Sequence, residues 1–227
     1  MIPGIRIAVL LGPIAASCLL AGCERGIALA QECHRIGDFD RAKRLFEAEI
    51  DRDPVSYEAR YGYAIVLQEL SLRRKSLGQD EAGDWLEVVK AYEICSKLRE
   101  SGAYTSNWAI ALFHLANKLY LQEKYEASLD YLSQARRLEP KNKYVLNLAG
   151  IVEYSMGRYK EAQETFEYLL AVDPAFLSAY LNLGNVLWES GQEDAALVTW
   201  KQALTVSPGN KSVIARIESA LKNLSGP

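Results

Sequence analysis

Residues 177–210 read LSAYLNLGNVLWESGQEDAALVTWKQALTVSPGN. Apolar residues recur every three or four positions, at Tyr180, Leu183 and Leu187 in the first half and at Ala196, Trp200 and Ala203 in the second. That spacing puts each set on one face of a helix. Gly191 lies between the halves, where a left-handed residue would end the first helix. Pro208 closes the second, because proline cannot extend a helix and disfavours helical backbone at the residue before it. Gly184 and Ala196 are small and would let the two helices approach. Trp200, four residues past Ala196, would fill the gap between them. The stretch predicts a tight helical hairpin.

The pattern repeats every 34 residues. Pro140, Pro174 and Pro208 mark the period, and Ala116, Gly150 and Gly184 keep the same phase. So do Leu132, Phe166 and Trp200, and Ser128, Ala162 and Ala196. This combination of small, aromatic and proline positions resembles the tetratricopeptide-repeat (TPR) family. The resemblance implies an all-α fold, a right-handed superhelix of antiparallel helix pairs. Copies fall at 109–142, 143–176 and 177–210, with Ser128 standing where the family usually has alanine. An N-terminal copy at 23–56 carries Leu29, Ala30, Gly37, Phe39, Ala42, Phe46 and Pro54.

Residues 57–108 form an irregular, longer unit. Its first helix is expected from Ser56 to Leu72, followed by a polar stretch, Arg73 to Asp84. Asp84 and Glu87 have the spacing of a capping box opening a second helix from Trp85 to about Arg99. After Pro208, the stripe Val213, Ile214, Ile217, Leu221 and Leu224 predicts one capping helix within 211–227.

The start of the chain differs from the rest. Arg6 is its sole charge before Cys23, and Ile7 to Leu20 is an apolar run broken by Gly12, Pro13 and Ser17. A basic start, a short apolar core and small residues predict a secretory signal over 1–22. The run is shorter than the ~20 residues a spanning helix needs. Leu20-Ala21-Gly22-Cys23 resembles the lipobox of bacterial lipoproteins. That resemblance implies cleavage before Cys23, a diacylglyceryl thioether on its sulfur and a fatty acyl group on its amino terminus. Glu24, where an Asp would imply inner-membrane retention, implies sorting to the outer membrane, facing the periplasm.

With 26 Lys+Arg against 29 Asp+Glu, the chain is near neutral and has no global field for nucleic acid. Arg73, Arg74 and Lys75 are its one basic cluster, either a solvated loop or a contact for anionic headgroups or an acidic partner. Cys33 and Cys95 are open to two readings, a pair in an oxidising compartment or two small buried side chains. His34 and His114 lie in different repeats and make no metal-ligand pattern. No phosphate-binding glycine loop, nucleophile elbow or zinc-protease motif is present. The expectation is a protein without catalysis, cofactor or small-molecule substrate.

In the TPR family the first helices line a concave groove for a partner polypeptide. Phase assigns Tyr120, Tyr154 and Trp188 to one slot of that groove, with Asn117, Ile151 and Asn185 a turn earlier. Further back come Phe113, Asn147 and Leu181, with Tyr61 in the irregular unit. Aromatic rings offer large contact area, and amides offer a donor and an acceptor to an extended peptide. The slots used by the family's carboxylate-clamp subset hold Phe113, Asn117, Asn147, Leu181 and Asn185 instead of Lys and Arg, which argues against acidic C-terminal tails. The architecture is similar to that of TPR lipoproteins of pilus and secretin assembly. It is also similar to those that recruit periplasmic proteases or cell-wall enzymes. A soluble TPR co-chaperone is the remaining alternative.

Overall fold

The structure is a computed structural model, and it describes residues 25–99 and 102–225. The signal segment 1–22, Cys23 and Glu24 lie outside the described residues. Every regular element described is helical. Helix α1 covers 25–35. It is followed by α2 (Phe39–Arg52), α3 (Tyr57–Ser76), α4 (Ala82–Leu98) and a 3-10 turn at Gly102–Tyr104. Then come α5 (Thr105–Leu121), α6 (Tyr125–Leu138), α7 (Lys143–Ser155), α8 (Tyr159–Val172), α9 (Leu177–Glu189), α10 (Glu193–Val206) and α11 (Lys211–Ser225). Contacts divide the chain into two compact units. The first runs to Asp80 and includes Lys90–Tyr104; the second comprises Glu81–Val89 and the chain from Thr105 on.

Two kinds of turn recur along the chain. Within a hairpin, the turn closes on a left-handed residue, Gly157 (φ 72) and Gly191 (φ 80). The amide after each bonds back to the helix, Arg158 N–H to Glu153 O at 2.9 Å and Gln192 N–H to Leu187 O at 2.8 Å. Between α5 and α6 the same place is held by Glu123 at φ 60, the described non-glycine residue with positive φ. A side chain there is strained against its own carbonyl.

Between hairpins, the residue before proline sets the turn. Asp53, Glu139, Asp173 and Ser207 have nearly identical backbones, with φ from −133 to −138 and ψ from 81 to 90. Proline denies each of them helical backbone. Asn142 and Asn210 then restart the chain, their side-chain oxygens accepting two backbone N–H bonds each at 3.1 and 3.3 Å.

The second unit's core runs from Leu146 through Phe166, Leu183 and Trp200 to Val213 and Ala220. Glycine makes its seam possible. A Cβ on Gly150 would sit 2.6 Å from Phe166 Cζ, and one on Gly184 would enter the Trp200 indole. At the third copy the facing residue is Leu132, smaller than a ring, and Ala116 fits. There Ser128 Oγ donates to the Ala116 carbonyl at 2.8 Å, so the serine in the alanine slot is satisfied.

The irregular unit departs from its expected boundaries. Helix α3 continues through Arg73, Arg74 and Lys75 to Ser76, so the basic cluster forms a last helical turn instead of a loop. Cations there face the negative end of the helix, and Gly78 (φ 67), not the first polar residue, ends it. Helix α4 starts at Ala82, three residues before the expected Trp85. Asp84 lies inside its first turn and accepts the Glu81 N–H at 3.0 Å, so Asp84 and Glu87 do not form the expected capping box. Helix α5 likewise starts at Thr105, ahead of 109. Cys33 and Cys95 are free and buried, and burial pushes the Cys95 thiol up to about 11 despite the nearby Arg60 charge.

Candidate functional site

The first helices of the second unit lie side by side, α5 against α7 and α7 against α9. Their shared face carries the slots assigned by phase. Tyr120 and Tyr154 each rest on a tyrosine from the second helix of their own hairpin, Tyr125 and Tyr159, with ring centroids 5.8 Å apart at 43° in both cases. Trp188 rests on Trp200 at 5.8 Å and 32°. Each ring is pinned on one side and half-buried, leaving its other side open.

Two clefts open on this face. One, of about 220 Å³, is lined by Tyr120, Ile151, Tyr154, Ser155, Asn182 and Asn185, with Phe166 behind. The other, of about 410 Å³, lies where α9 meets α11, and Tyr154, Asn185, Trp188 and Arg216 line it with Asn223. Tyr154 and Asn185 line both clefts. Burial, with the Glu189 carboxylate nearby, raises the Tyr154 phenol above its ordinary pKa, so it stays a neutral donor at physiological pH.

The asparagines are less free than their positions imply. Asn147 Oδ1 accepts from Asn182 Nδ2 at 3.2 Å, and Asn185 Oδ1 accepts from the Arg216 guanidinium. Each of these acceptors is thus engaged in one bond within the chain. Phe113 and Asn117 are half-buried on α5 and line neither cleft; Phe113 packs edge-on against His114 at 5.3 Å. His114 in turn lies 4.3 Å from the Trp85 ring.

Tyr61 belongs to the first unit. Its hydroxyl donates to the Ala103 carbonyl at 3.0 Å, and its ring stacks on Tyr57 at 5.7 Å and 17°. There it borders a separate hollow of about 190 Å³, with Gln31, His34, Phe46 and Gly62.

Arg216 and Asn182 are the residues that slot assignment missed. Asn182 was one position off the chosen slots, and Arg216 follows it by 34 residues. Extending the period into α11 would have found it. Arg216 also lies over the Trp200 ring at 5.9 Å, so the capping helix supplies a cation to this face. Among the described residues no cluster of His, Cys, Asp and Glu is placed to hold a metal, and no helix is long and apolar enough to cross a membrane.

Comparison with known proteins agrees with this architecture. The sequence profile described as tetratricopeptide repeat matches residues 28–71 and 147–210. A TPR repeat-containing protein of Rhizobium etli is 25% identical over 141 residues, covering 60% of this chain and 68% of that one. The BBSome complex member BBS4 of Xenopus tropicalis is 25% identical over 152 residues, covering 67% of this chain and 27% of its own length. The Hsp70-Hsp90 organizing protein of Triticum aestivum is 22% identical over 202 residues, 88% of this chain and 30% of that one. The chain thus spans less than a third of the latter two. Among solved structures, YrrB, described as a TPR protein with an unusual peptide-binding site, superposes with a TM-score of 0.60 at 17% identity over 88% of this chain and 97% of that one. The MamA protein gives 0.56 at 22% identity, over 81% and 91%. The repeat pattern, the hairpins and these likenesses converge on the tetratricopeptide-repeat family.

Proposed function

We propose that the chain is a lipid-anchored scaffold of the bacterial cell envelope that holds a segment of a partner protein on the first-helix face of α5, α7, α9 and α11. The observation that carries the binding role is the row of pinned, half-buried rings, Tyr120, Tyr154 and Trp188, bordering two clefts with amide donors between them. Rings already packed on one side lose little freedom when a ligand covers the other. TPR repeats are typically non-catalytic interaction modules, which fits this role. The anchor reading rests on Leu20-Ala21-Gly22-Cys23, with the lipid on Cys23 and the outer membrane's periplasmic face as the location. Pilus or secretion-machinery assembly is one setting for such a scaffold, and recruitment of a protease or cell-wall enzyme another.

The test is photo-crosslinking in cells from Trp188→p-benzoylphenylalanine, followed by identification of the captured protein. Changing Asn117, Asn185 and Trp188 together to alanine is expected to abolish co-purification of that protein with helicity intact. Undiminished co-purification would reject this face as the binding site.

A further inference from the structure

The cleft where α9 meets α11 follows from a change of residue type along the repeat. Leu181 and Asn185 on α9 are succeeded 34 residues later by Ala215 and Ser219 on α11. The smaller side chains leave about 410 Å³ open beside Tyr154, Trp188 and Trp200. Two charged residues line that space, Glu189 from α9 and Arg216 from α11.

The two charges differ in how they are met. Arg216 donates to Asn185 Oδ1 and lies over the Trp200 ring at 5.9 Å. That cation is thus met twice within the chain. Glu189 is exposed and has no ion pair or side-chain hydrogen bond with any described residue. It is also the last residue of α9, and no basic residue lies in that last turn. A carboxylate there faces the negative end of the helix dipole, which disfavours it. Trp188, next to it in sequence, and Tyr154 are half-buried rings at the same cleft. Aromatic faces are electron-rich and attract a Lys or Arg side chain, more strongly once water is displaced.

From this we infer that the α9–α11 cleft takes a lysine or arginine side chain of the partner protein, its cation held by the Glu189 carboxylate and the rings of Tyr154 and Trp188. The inference rests on the binding role proposed for this face, and it names the chemistry of the segment that fills it. Arg216 has guanidinium N–H groups beyond the one spent on Asn185, and a backbone carbonyl beside the basic residue can accept from them. A charge at the rim of an interface selects among partners more than it adds affinity. The segment held here is therefore basic at this point, not acidic.

The test selects binders from a random peptide library displayed on phage, with the purified full chain as bait. Selected sequences are expected to share a Lys or Arg. Those peptides are synthesised with blocked termini, and Kd is read by fluorescence anisotropy. Glu189→Gln, or norleucine in place of the shared base, should each weaken binding about fivefold, the upper range for an exposed ion pair. The two changes together should weaken it no further than either alone, because both remove one interaction. Glu189→Lys should instead prefer the peptide with Glu at the shared position. Glu189 is exposed, and circular dichroism checks that each variant stays helical. Trp188→Ala separates this inference from the reading beneath it. If it weakens binding and Glu189→Gln does not, the face binds peptide and the inference is overturned alone. If neither weakens binding, the peptides bind elsewhere and both are overturned. Selected sequences without a shared base, acidic ones included, or no enrichment at all, would overturn the inference as well.

Discussion

The hairpin α9–α10 and the pairing of α3 with α4 meet the same demand by different chemistry. In α9–α10 the contact is steric. Gly184 yields the space that Trp200 fills, and the indole N–H finds the Leu181 carbonyl at 3.3 Å. Where α3 meets the later part of α4, the contact is polar. The Tyr92 hydroxyl donates to Gln68 Oε1 at 3.0 Å, with Tyr92 fully buried and Gln68 7% exposed. A steric seam needs a glycine and a ring in fixed register, and so it repeats. A polar seam needs one satisfied pair, and it tolerates helices of 20 and 17 residues in place of 13 and 14. Periodicity is the signature of the first solution and is lost in the second.

The largest effect should come from forcing the steric seam. Gly184→Val drives two methyl groups toward the indole and is expected to cost about 3 kcal/mol, the upper range for overpacking a tight core. Urea denaturation measures it, and a loss below that of Tyr92→Phe would show that α9–α10 relaxes easily. Tyr92→Phe strands the Gln68 oxygen in the core and should cost about 2 kcal/mol. Adding Gln68→Leu should recover most of that loss, because no buried polar group is then left unpaired. If the double variant is no better than the single one, the seam is held by shape after all.

Smaller effects grade the regular hairpins against one another. Glu123→Gly relieves a left-handed backbone that glycine accepts freely, and should add about 1 kcal/mol to the midpoint stability. The smallest change concerns Glu153, on α7. Burial raises its carboxyl above the usual range, although a hydrogen bond with Thr165 pulls the other way. A raised acid costs nothing while protonated in both folded and unfolded chains. The cost grows as pH rises past the ordinary carboxylate value and levels off above the raised one. Glu153→Gln should therefore stabilise at pH 7 and make no difference at pH 3, as thermal melts at the two pH values would show. A gain of equal size at both would place the effect outside ionisation.

The regular hairpins were legible because each of their constraints leaves a residue type at fixed distance. Pro140, Pro174 and Pro208 are visible as letters, and so are Gly150 and Gly184 opposite Phe166 and Trp200. The length of α3 was not legible, since Arg73–Lys75 reads as polar loop until the helix-terminal field is counted. The face of α5, α7 and α9 was partly legible. Phase found Tyr120, Tyr154 and Trp188, but single-residue phase does not show that the amides of Asn147 and Asn185 are engaged by Asn182 and Arg216. Tyr61 shared a slot by count, yet its hydroxyl is spent on Ala103 because the irregular unit brings the Gly102–Tyr104 turn beside it.

The four residues that precede proline share one backbone shape, with φ from −133 to −138 and ψ from 81 to 90. They behave as standard couplings between modules. A segment cut from Pro140 through Asp173 could be removed, or copied in tandem, and each junction would still join a residue of that shape to a proline. The number of hairpins is thus an adjustable dimension of this chain, and evolution can lengthen or shorten the row of helices by whole cassettes without redesigning a single joint.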